Sequence, residues 1–78
     1  MGQAEVMSFL RRKRMQNGRW FCAPEIRMGL KEEGFSDGVL RGVDGDLLRL
    51  AIFKMIQWRG AGWWKHKKEF RGLRNAGL

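Results

Sequence analysis

The sequence predicts a small α+β domain: three helices, a short strand and a C-terminal β-hairpin. Three observations carry that reading. Apolar residues recur at helical spacing in three separate stretches. A short alternating aromatic stretch, "RWFC" at 19–22, lies between the first two of them. The ribbon "IQWRGAGWWKHKKEFRG" at 56–72 carries apolar and basic arms around a glycine-rich turn. A chain of 78 residues is one domain at most. Its core spans about residues 5–71, and 72–78 read as a frayed tail in which Leu73 is suited to packing.

The first helix covers 4–15, "AEVMSFLRRKRM", where Val6, Phe9 and Leu10 share one face. Its cations cluster at the C-terminal end, which the helix dipole favours, and Gly18 suits the position past the last turn. After the 19–22 strand, Pro24 fits the first position of a second helix. Ile26, Leu30 and Glu33 keep its period and Gly34 ends it, with Phe35 a core residue just beyond. Glycines at 38, 42 and 45 weaken the next stretch as a helix, so 36–42 is expected to be a loop or a single short turn. The third helix runs from about 43 to 54 on a stripe of Val43, Leu47, Leu50 and Ala51. Residues 55–58 follow as a strand, "RGAG" as the turn, and 63–70 as the returning strand. A two-residue turn at Gly60 and Ala61 would set Trp58 opposite Trp63 and Gln57 opposite Trp64. One tryptophan set then lies on the helices, or one ring stays exposed as a stacking or wedging side chain; a one-residue slip exchanges the faces.

Charge is unevenly distributed. The formal charge is +8. Residues 1–18 hold four basic residues against Glu5, 19–55 hold six against six, and 56–78 hold six against Glu69. The positive field therefore sits at two ends of the chain, which suits a polyanion: nucleic acid first, anionic membrane second. No apolar run approaches the roughly 18 residues of a membrane span, and Arg11 to Arg14 interrupt any signal-peptide pattern. With a single cysteine, Cys22, the chain reads as cytosolic.

The order of elements resembles a winged helix-turn-helix domain over roughly residues 5–71. The third helix carries the resemblance. The family places an apolar residue there, Asp three later, Leu four and seven later, then two apolar residues entering a strand. This chain has Val43, Asp46, Leu47 and Leu50, then Met55 and Ile56. Many members place Gly just before that strand, where this chain has Lys54. The segment between the second and third helices is longer than the family's tight turn. The resemblance implies that the third helix enters the major groove and that the wing contacts backbone or minor groove. Base-reading positions would then include Arg41, Asp44, Gly45, Leu48, Arg49 and Ile52.

The expected function is a small basic protein that binds double-stranded DNA, a transcription regulator. The expected contacts are Arg11, Arg12 and Arg14 on the first helix, Arg41 and Arg49 near the third, and Arg59, Lys65, Lys67, Lys68 and Arg71 on the wing. Trp58, Trp63 and Trp64 are the candidate stacking or wedging side chains. RNA binding is a variant of the same reading. The alternative is an interaction module, or a subunit of a larger nucleic-acid-processing assembly, docking through Leu48, Ile52 and Phe53. A basic and polar third-helix surface favours groove reading; an apolar and acidic one favours docking. A homodimer stays open, although no heptad run announces one.

Enzymatic chemistry is not expected. His66 and Cys22 are the only residues of their types, read as a strand-surface residue and a small core residue. A structural zinc site wants four ligands, so no metal or other cofactor is expected. Asp44 and Asp46 do not face each other on a helix and instead favour its N-terminus. "GVDG" and "RGAG" lack the phosphate-loop spacing.

Overall fold

The computed structural model describes residues 2–60 and 68–73. Among them the chain forms four helices and a three-stranded antiparallel sheet. The elements are α1 (Gly2–Gln16), β1 (Phe21–Cys22), α2 (Ala23–Glu32), α3 (Asp37–Arg41), α4 (Val43–Ile52), β2 (Ile56–Arg59) and β3 (Glu69–Gly72). The α+β class expected from the sequence holds.

The core follows the periodic faces. Val6, Phe9 and Leu10 of α1, Ile26 and Leu30 of α2, and Val43, Leu47 and Leu50 of α4 are buried together with Phe21, Ala23, Ile56 and Phe70. Phe9 meets Phe21 edge-on, with ring centroids 5.7 Å apart, the geometry that aromatic quadrupoles favour. Phe35 packs against this core at its margin.

Helix ends follow local chemistry. The Glu25 carboxylate accepts the Cys22 N–H at 3.0 Å in a capping box at the start of α2, and Pro24 occupies the first turn. Cys22 is thus a half-buried cap residue at the edge of the core. Gly34, at φ 91°, closes α2 in a Schellman motif: its N–H donates to Lys31 O, and that of Phe35 to Leu30 O. The same pattern closes α4, where Lys54 N–H donates to Ala51 O and Met55 N–H to Leu50 O. The left-handed position there falls on Lys54, at φ 59°.

Three expectations are corrected. Residues 37–41 form a helix where a loop or single turn was expected. Ser36 stands at its N-cap position, and Val39 and Leu40 pack on the core, which offsets the low helix propensity of Gly38. The hairpin is not closed at Gly60 and Ala61. Trp58 pairs with Phe70, Gln57 with Arg71, and Arg59 with Glu69, so the connection is longer than two residues. Burial of Phe70 and Ile56 on one face sets this register. Gly72 is not frayed: it pairs with Ile56 in β3 and is buried. The expected partners Trp63 and Trp64, with Lys65, His66 and Lys67, lie outside the described residues.

The strand order is β1-β3-β2, so β3 is central. It approaches α1 closely: a Cβ at Gly72 would lie 2.7 Å from Leu10 O. Strand and helix backbones meet there with no room for a side chain. At the N-terminal end of α1, the Asp46 carboxylate of α4 lies against Gly2. Asp46 is only 6% exposed. It faces the first turn of α1, where unpaired N–H groups leave partial positive charge.

Candidate functional site

The sheet sorts its side chains by alternation. Ile56, Trp58, Phe70 and Gly72 face the helices. Gln57, Arg59, Glu69 and Arg71 stand on the outer face, directly opposite one another in two pairs. Both pairs are hydrogen-bonded: Arg59 Nε donates to Glu69 Oε1 at 2.8 Å, and Arg71 Nε to Gln57 Oε1 at 2.9 Å. Trp20, just before β1, completes this surface. The Arg59 guanidinium lies 4.3 Å from the centroid of its ring and the Arg71 guanidinium 4.2 Å. Both distances are well inside cation–π range.

Arg71 also reaches the end of α1. Its Nη1 donates to Gly18 O at 3.3 Å, and it lines a polar depression with Arg14, Gln16 and Asn17. The two charged ends of the chain, separate in sequence, therefore converge on one side of the sheet: Arg14 comes from the first, Arg59 and Arg71 from the second.

Neighbouring cations on α1 are occupied differently. Arg12 holds Glu33 at 2.8 and 3.0 Å through two nitrogens, joining α1 to the end of α2. The hydrogen bond from Arg12 holds the Glu33 carboxyl below its ordinary range, and Glu33 in turn raises the Arg12 guanidinium. Arg11 is half-buried and its Nε is shut from solvent. Arg19 pairs with Glu25 and lies over Phe21. Glu25 is held below its ordinary range first by the Cys22 N–H, then by the thiol and Arg19.

The face of α4 offered to solvent is mostly apolar, with Arg49 its one exposed charge among the described residues. Leu48, Ile52 and Phe53 are 59%, 64% and 68% exposed. The carboxylates of α4 are engaged: Asp44 binds Arg27 at 3.0 Å and Asp46 is buried. Arg49 points outward, with Asp46 Oδ1 at 3.5 Å. Arg41 is exposed on α3, beside Arg27 and Asp37. Between α4 and the inner sheet face lies an apolar groove of about 340 Å³. Leu47, Leu48, Ala51 and Ile52 line it from α4, and Trp58 and Phe70 from the sheet. The Lys68 ammonium borders it, 5.1 Å from the centroid of the Trp58 ring.

Of the expected contacts, the structure gathers Arg14, Arg59 and Arg71 on one surface. It puts Lys68 and Trp58 on another and ties Arg12 into an ion pair. Lys65, Lys67, Trp63 and Trp64 lie outside the described residues. Trp20 was not among the expected site residues. The sequence signal for it was its place two residues before Cys22, on the same side of a strand.

No helix of the described residues is long and apolar enough to cross a membrane. No protein-family model, curated protein or solved structure matches the chain.

Proposed function

We propose that the chain is a winged helix-turn-helix domain that binds double-stranded DNA, as a transcription regulator. The order of helices and strands supports the winged-helix reading. α2 and α4 are the helix pair, β2 and β3 form the wing, and β1 pairs with the wing's inner strand. α3 occupies the place of the tight turn.

One observation carries the DNA reading: Arg14 and Arg71 converge on the outer side of the sheet although they come from opposite ends of the chain, beside Arg59, whose charge Glu69 already opposes at 2.8 Å. A cluster of guanidiniums on a chain of charge +8 suits a phosphate backbone. The α4 surface suits base reading less well, because its polar side chains are few and its acids are engaged. The reading therefore places affinity in phosphate contact and leaves α4 a minor part in sequence selection. The test is an electrophoretic shift with random duplex DNA at low and moderate salt. A shift at low salt that weakens as salt rises is expected. A folded protein that shifts no duplex at low salt would sink the reading.

A second reading has its own observation. The exposed Leu48, Ile52 and Phe53 favour a module that docks on a protein partner through α4. The two readings use different surfaces and are compatible in one subunit of a nucleic-acid-bound assembly.

A further inference from the structure

We propose that the groove between α4 and the inner sheet face seats an amphipathic helix of a partner protein, one whose apolar stripe is flanked by acidic residues. This rests on the docking reading and is independent of DNA binding.

The shape comes from α4. Leu48 and Ile52 are one turn apart and form an exposed apolar row. Beside the row the groove opens onto Trp58 and Phe70. A row beside a groove is what a helix with apolar residues at i, i+3, i+4 and i+7 fills: its ridge enters the groove and its flanks rest on the rims. Trp58, half exposed at the groove, supplies the aromatic anchor that dominates such contacts.

The chemistry of the flanks comes from charge. Asp44 is the carboxylate that lines the groove, and Arg27 binds it at 3.0 Å. Lys68 borders the groove, and no carboxylate among the described residues pairs with it. The rim is thus positive, in the field of a chain of charge +8. Acidic flanks gain from Lys68 at contact and from the whole field on approach. A second copy of the chain is the poorer occupant, because a two-fold pairing would set Lys68 rims and two +8 chains against each other.

The test is a displayed library of two-faced helices, with leucine on the apolar stripe and the flanking positions randomised over Glu, Lys, Gln and Ser, sorted against the full chain. Enrichment of Glu at the flanks is expected. A peptide made from an enriched clone should bind about tenfold or more weakly to Ile52→Ser and to Leu48→Ser, and several-fold more weakly to Lys68→Ala. Two exposed positions are used so that a folding defect in one, read by circular dichroism, does not decide the matter. Sorting that enriches nothing, or enriches Lys, overturns the proposal. So does peptide binding that ignores both substitutions. Sedimentation showing a dimer of the chain that Ile52→Ser dissociates assigns the groove to a second copy instead. The random-duplex shift is read on Leu48→Ser and Ile52→Ser, which remove no charge, and should be unchanged; Lys68→Ala is left out of this control because Lys68 is one of the cations expected to face DNA. Loss of peptide and DNA binding together would mean that the effect is not local, and would also overturn the assignment.

Discussion

The Arg71 guanidinium lies 4.2 Å from the centroid of the Trp20 ring while its Nη1 donates to Gly18 O and its Nε to Gln57 Oε1. One side chain on the central strand thus fastens the edge strand β2, the approach to β1 and the end of α1. Its planar fork suits this task, because several donors are held in fixed directions. Arg71→Ala should cost about 1–3 kcal/mol, the range for hydrogen bonds to a charged group with some cation–π contribution. Arg71→Lys should recover little of it, because an ammonium cannot reproduce the fork. Urea titration with Trp fluorescence checks both. A neutral Arg71→Ala would show that these contacts are exchanged for water at no cost.

Gly72 is the position least tolerant of a side chain. A Cβ there would lie 2.7 Å from Leu10 O, 2.8 Å from Leu10 C and 2.9 Å from Arg11 N. All three are backbone atoms of α1, so no side chain can rotate away. Gly72→Ala should destabilise by at least the roughly 1–3 kcal/mol of an overpacked site. With a domain of this size, Tm should fall by about 4–8 °C per kcal/mol. An unchanged melting curve would mean that β3 and α1 slide apart easily.

Lys54 offers the opposite change. It holds the left-handed position of the α4 Schellman motif at φ 59°, which costs an L-residue about 1–2 kcal/mol. Glycine removes that strain but gives back about 0.5–1 kcal/mol of chain entropy. Lys54→Gly should therefore stabilise by up to about 1 kcal/mol, read as a higher urea midpoint at constant slope. A lower midpoint would show that the Lys54 side chain contributes more than its backbone costs.

Lys54 also shows how much could be read in advance. The sequence sets Lys54 where many of the winged-helix domains it resembles carry glycine, and the left-handed position falls on that residue. The core was equally legible: Phe9, Leu10, Ile26, Leu30, Val43, Leu47, Leu50 and Ile56 share periodic faces and are buried together. The hairpin register was not legible, because period-two alternation fits several turn lengths and only contacts from α1 and β1 choose among them. The burial of Phe70 beside Phe21 decides for Trp58 opposite Phe70. α3 was hidden for a related reason: three glycines speak against a helix locally, while Val39 and Leu40 gain from packing that the local sequence does not contain. The meeting of Trp20 with Arg59 and Arg71 depends on β3 lying between β1 and β2, and strand order is invisible to local pattern.

Arg12 and Arg14 are two residues apart and look alike in sequence, yet they should behave differently. Arg12 is committed to Glu33 through a two-nitrogen ion pair, and that carboxyl is held below its ordinary range. A depressed carboxyl contributes stability above the ordinary carboxyl range and loses it as pH falls through the lowered folded value. Arg12→Ala should therefore destabilise near neutral pH by a few tenths to about 1 kcal/mol, since the pair is partly exposed. The difference from wild type should shrink on acidification, as Glu33 becomes protonated in both proteins. Arg14 lines the polar depression with Arg71 and is in no ion pair among the described residues. On the DNA-binding reading, Arg14 meets a phosphate. Arg14→Ala should flatten the log–log salt dependence of duplex binding by about 0.9. Arg12→Ala should flatten it by clearly less, because its charge is already opposed. Duplex titration at several salt concentrations, with urea melts across pH, separates the two roles. Equal flattening by both variants would mean that the Glu33 pair opens on DNA. An unchanged slope for a folded Arg14→Ala protein would take the end of α1 out of the interface.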